Sequence, residues 1–90
     1  MNYLHYDLDL KANDIIEVML DNQANVRLLD EMNFSAYQRG GRHTYQGGGL
    51  AKQSPVRLVP PHSGHWHLVI DLGGYPGTVQ ASVRTLPSAA

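Results

Sequence analysis

The stretch His62-Ser63-Gly64-His65-Trp66-His67-Leu68-Val69-Ile70-Asp71-Leu72 decides the fold. From His65 onward, Trp66, Leu68, Ile70 and Leu72 take every second position, and His65, His67, Val69 and Asp71 stand between them. A period of two is the mark of an extended strand with one face in an apolar core. His62-Ser63-Gly64 turns the chain into this strand, and Gly73-Gly74-Tyr75-Pro76-Gly77 turns it out again.

The same alternation recurs on either side. Upstream, Pro55-Val-Arg-Leu-Val59 is a short strand stopped by Pro60-Pro61; downstream, Thr78 to Leu86 puts Val79, Ala81 and Val83 inside and Gln80, Ser82 and Arg84 outside. Near the start, Leu4, Tyr6, Leu8 and Leu10 share one face of a strand, with Tyr3, His5, Asp7 and Asp9 on the other. After a turn at Asn13-Asp14, Ile16, Val18 and Leu20 line one side of a second strand and Glu17 the other, which suggests a hairpin or a neighbouring pair. Val26 and Leu28 flank Arg27 in a third strand that ends at Asp30.

Two segments break the rhythm. Asn33 as a cap, Phe34 and Tyr37 three apart, and Gly40 as a terminator predict one short helical turn over residues 33–39. Gly40 to Gly49 contains five glycines and reads as a loop around a short strand. About seven short strands with no long amphipathic helix predict an all-β fold, a small antiparallel β-sandwich or a partly open barrel. A chain of 90 residues holds one core, so residues 1–86 are expected to form a single domain and 87–90 a flexible tail.

Composition narrows the chemistry. The absence of cysteine excludes disulfides, thiolate metal sites and thiol nucleophiles, and leaves His, Asp and Glu as metal ligands. Asp7, Asp9 and Asp14 interrupt the first twenty residues, which argues against an export signal or a membrane span there; a cytoplasmic location is the expectation. The net charge of −1 is unevenly divided, with seven acids against Lys11 and Arg27 in residues 1–31 and five basic residues against Asp71 in the remainder. Acidic and basic strands side by side would account for this, as would a basic face for an anionic ligand.

The densest group of reactive side chains lies on the strand quoted first. His65, His67 and Asp71 share its polar face, and imidazoles two residues apart, about 7 Å at the Cα level, suit zinc, iron, nickel or copper. The spacing resembles the first metal motif of the cupins with Asp71 in place of glutamate, yet no histidine follows His67 to complete a cupin set. His5 and His43 remain as further ligands. The plainer alternative makes both imidazoles solvated partners on the polar side of a half-buried strand. Asp7 and Asp9 likewise read as solvated strand acids. Ser63 lacks the surroundings of a nucleophile, and Gly47-Gly48-Gly49 lacks the residues of a phosphate loop. Arg39 and Arg42 among Tyr37 and Tyr45 are too sparse a basic set for a nucleic-acid footprint.

Tyr3-Leu-His-Tyr-Asp-Leu8, Ala24-Asn-Val-Arg-Leu-Leu-Asp30 with Asn33-Phe34, Ser54-Pro-Val-Arg57, and above all Pro61-His-Ser-Gly-His-Trp-His67 with Asp71-Leu-Gly-Gly-Tyr75 resemble the bacterial domain-of-unknown-function family 1883 over essentially the whole chain. The resemblance implies a compact β-structure and a bacterial source, and brings no catalytic residue or cofactor. Three roles follow from the residues. The first is a non-catalytic module that binds a small molecule or a protein through His62, His43, Arg39, Arg42, Arg57 and Tyr45. The second is a protein that holds a divalent metal on His65, His67 and Asp71. The third is a structural subunit of a homo-oligomer. Nucleic acid and membranes are not expected as partners.

Overall fold

A computed structural model describes residues 3–41, 48–73 and 76–87. Seven strands and one helix follow in the order β1 (Tyr3–Leu10), β2 (Ile15–Leu20), β3 (Ala24–Leu29), α1 (Glu31–Gln38), β4 (Gly48–Ala51), β5 (Val56–Leu58), β6 (Gly64–Asp71) and β7 (Ala81–Leu86). One antiparallel sheet runs β1-β6-β3-β4 and the other β5-β2-β7. The architecture is a small all-β sandwich. No helix among the described residues is long and apolar enough to cross a membrane.

The alternation explains the layers. Trp66, Leu68, Ile70 and Leu28 face inward from the larger sheet and pack with Ile16, Val18 and Leu58 of the smaller one. Trp66 is buried, and its indole N–H donates to the His62 carbonyl at 3.2 Å, so its polar atom is satisfied. At about 25 cal/mol per Å² of apolar surface, such side chains are the main stabilising term of a domain this small.

Two expectations need correction. The first two strands are not partners: β1 pairs with β6, whereas β2 lies in the other sheet between β5 and β7. The turn at Asn13 (φ 71°) carries the chain from one sheet to the other, which a short turn does as readily as it forms a hairpin. The helix is longer than one turn and starts earlier. Asp30, not Asn33, is its N-cap, accepting from the Asn33 N–H at 2.8 Å. The glycine-rich stretch also contributes structure at its end, since Gly48 and Gly49 belong to β4 beside β3. Gly48 has φ of 101°, and a Cβ there would stand 2.0 Å from the Val26 carbonyl oxygen, so only glycine permits this close pairing.

Helix α1 lies on the outer face of the larger sheet. Its Phe34 and Tyr37 cover Leu29 of β3 and Val69 of β6, with Tyr3 of β1 packed alongside. A third layer is thereby added to part of the sandwich, and His67, Val69 and Asp71 on the outer face of β6 are buried, while His65 at the start of that face stays exposed. At one end of that covered strip, Asp71 is buried and accepts from Asn25 Nδ2 at 2.9 Å, Arg27 Nη1 at 3.0 Å, Tyr37 Oη at 2.6 Å and the Gly73 N–H at 2.8 Å. Burial pushes this carboxyl up, and the four donors outweigh it, so the net displacement is downward. Tyr37 moves up, through burial and then through its bond to Asp71.

The charge asymmetry is resolved partly within the sheets. Glu17, buried on the outer face of β2, pairs with Arg57 of β5 at 3.0 Å and with Arg84 of β7 at 2.7 Å. These are acid–base neighbours across adjacent strands, and they hold Glu17 below the usual carboxylate range, first through the bond from Arg84 and then through that from Arg57.

Candidate metal centre

The strand register creates the site. In the antiparallel β1–β6 pair, Asp7 lies opposite His67 and Asp9 opposite His65, while His5 lies opposite Val69. Residues directly opposite have Cβ atoms about 4.5–5.5 Å apart, so the outward side chains of the two strands must meet. Across the other edge of β6, His67 faces Leu29, the last residue of β3. The chain turns there into α1, and the first helical residue, Glu31, comes over His67.

The contacts follow from this placement. His5 Nε2 is 2.7 Å from His67 Nδ1, and His67 Nε2 is 2.7 Å from Glu31 Oε1. With neutral rings, His67 donates from Nε2 to the Glu31 carboxylate, and its Nδ1 accepts from the N–H of His5. Asp7 Oδ1 lies 3.1 Å from His67 Nδ1, 3.0 Å from His65 Nε2 and 3.6 Å from His5 Nε2. His65 Nδ1 donates to Asp9 Oδ1 at 2.8 Å. These bonds raise the pKa of His65, that to Asp9 most and that to Asp7 next, and Asp7 is lowered chiefly by His65.

Phe34 fixes the rings. It stacks on His67 with centroids 4.1 Å apart and an angle of 9°, and on His5 at 4.3 Å and 21°. His67 is consequently 5 % exposed, whereas the side chains of Asp7 (59 %) and Glu31 (67 %) open to solvent. The arrangement is a buried His67 floor with His5, His65 and the carboxylates exposed around it. Two triads have donor atoms close enough to share an ion: His5, Asp7 and His67, and Glu31, His65 and His67. Each is a two-histidine, one-carboxylate set, which leaves coordination positions for water or another ligand.

The residues singled out in the sequence are placed differently from one another. His65 and His67 enter the cluster, and His5 joins them from β1. Asp71 does not: four residues along a strand amount to about 13 Å, and its oxygens are taken up at the far end of the strip. His62 stays at the turn, its ring 4.9 Å from that of Trp66, and is in neither triad. Arg57 is on the outer face of the other sheet with Glu17, and Arg39 closes the C-terminal end of α1. Arg42, His43 and Tyr45 lie outside the described residues.

Three participants escaped the sequence reading. Asp7 and Asp9, taken as solvated acids, are partners of His65. The available signal was His5-x-Asp7-x-Asp9 and His65-x-His67, two polar faces that become complementary once the strands are antiparallel. Glu31 enters because Asp30, three residues before Asn33, caps the helix and so brings residue 31 into its first turn.

Fold and site together define a small two-sheet β-sandwich with a histidine–carboxylate cluster under a covering helix. Within that class the chain belongs to the family described as Domain of unknown function (DUF1883), whose model matches residues 1–89. No curated protein and no solved structure matches it.

Proposed function

We propose that this domain binds a divalent transition-metal ion of the zinc, nickel or copper type at His5, Asp7, Glu31, His65 and His67. One observation carries the reading: three imidazoles from two strands converge with the Asp7 and Glu31 carboxylates, the donors of each triad lying within 4.8 Å of one another. Two donors about 2.0–2.1 Å from a tetrahedral ion stand roughly 3.3 Å apart. The separations of 2.7 to 3.6 Å within the cluster bracket this value, so small side-chain adjustments admit an ion.

The surroundings support the same reading. Asp9 on His65 Nδ1 directs Nε2 toward the other ligands, as outer-shell carboxylates do for metal-bound histidines. Phe34 holds His5 and His67 in nearly parallel planes and limits the rotamer entropy lost on binding. Asp7, Asp9 and Glu31 give the opening a negative potential that draws cations in.

Isothermal titration of the tag-free protein with zinc chloride is expected to show a dissociation constant in the micromolar range or tighter. His62→Ala, which alters a histidine outside both triads, is expected to leave it unchanged. At a hundredfold excess over the dissociation constant the ion adds about 2.7 kcal/mol of stability, and the unfolding midpoint rises by roughly ten degrees or more. No binding of zinc, nickel or copper at micromolar concentrations ends the proposal.

A further inference from the structure

The two nitrogens of His67 face different ligands. Nδ1 is turned to His5 Nε2 at 2.7 Å and Asp7 Oδ1 at 3.1 Å, and Nε2 to Glu31 Oε1 at 2.7 Å. Lone pairs on the two nitrogens of an imidazole diverge in the ring plane, so one ion cannot take both. The two triads that share His67 are therefore two sites, one on each edge of a single ring. From this juxtaposition, and resting on the proposed metal binding, we infer that the domain holds a pair of divalent ions bridged by the His67 imidazolate, one also bound by His5 and Asp7, the other by Glu31 and His65.

Three features support a bridge. The ring is stacked on Phe34, parallel to within 9°, and each of its nitrogens meets a polar partner at 2.7 Å. Its partners come from separate elements, β1 for His5 and Asp7 and α1 for Glu31, with His65 on its own strand; an ion on either side takes the place of the 3.0 Å contact between Asp7 Oδ1 and His65 Nε2. Charge also balances. Binding the second ion removes the remaining N–H proton of His67 to solvent, and the imidazolate with the Asp7, Asp9 and Glu31 carboxylates matches the charge of two divalent cations. A single ion would leave the cluster with excess negative charge.

The test uses copper as probe on the full-length, tag-free protein. Equilibrium dialysis against excess copper(II) followed by elemental analysis is expected to give two ions per wild-type chain and one for either His5→Ala or His65→Ala, with circular dichroism as the check on folding. Electron paramagnetic resonance on the wild type needs no variant: two copper(II) spins joined by imidazolate couple antiferromagnetically, so the integrated signal should fall well below the total copper. One His5→Ala ion should integrate to its full copper content. A single ion per wild-type chain, or two with uncoupled spins, overturns the bridge and leaves the proposed metal binding standing. No bound ion overturns both.

Discussion

His67→Ala is expected to lower zinc affinity by at least a hundredfold while leaving the sandwich folded. The magnitude follows from position. Loss of an outer-shell partner already costs about ten- to a hundredfold in affinity, and His67 is the only residue common to both triads. Its removal takes the buried imidazole from both triads and leaves His5 with Asp7 and His65 with Glu31, joined through the 3.0 Å contact between Asp7 Oδ1 and His65 Nε2. Because the His67 side chain points away from the inter-sheet core, the packing of Trp66, Leu68 and Ile70 should survive. Calorimetry measures the affinity and far-ultraviolet circular dichroism the fold. A folded His67→Ala protein that binds zinc like the wild type would place the ion elsewhere.

The second large effect concerns stability. Asp71→Ala is expected to cost about 3 kcal/mol, because it removes the buried carboxylate to which Arg27, the Tyr37 hydroxyl and the Asn25 amide all donate. That is a large share of the about 5–15 kcal/mol typical of a folded domain. The same carboxylate fixes a pH response. Its folded pKa lies below the ordinary value of 3.8, so the folded state binds fewer protons there than the unfolded chain. The stabilisation is complete above that ordinary value and is lost as pH falls through the lower folded one. Urea unfolding between neutral pH and pH 2 should show a steep decline in the wild type only at the acid end, and Asp71→Ala should be less stable at neutrality with a shallower acid decline. An unchanged acid profile in the variant would contradict the assigned role.

How much of this was legible in the sequence can be judged strand by strand. The alternation around Trp66 identifies β6 and its two faces, since a period of two is a local property. Pairing is not local. Nothing within Tyr3–Leu10 says that its neighbour is β6, some sixty residues on, instead of β2 just beyond the turn, and with that partner unknown Asp7 and Asp9 read as solvated acids. Asp71 shows the converse limit: it has the right face but the wrong distance, because one strand's periodicity fixes direction without saying what lies across from it. Glu31 depends on the helix start, which the Asp30 cap sets and which shifts by three residues if Asn33 is the cap instead.

Binding of a metal ion through the ring nitrogens of His5, His65 and His67 is tested by proton–nitrogen correlation of the histidine rings in uniformly 15N-labelled protein during zinc titration. The ring nitrogens of these three histidines should shift together as zinc is added, while those of His62 stay in place. Rings of His5, His65 and His67 that stay unmoved through excess zinc, or a response confined to other histidines, would contradict it.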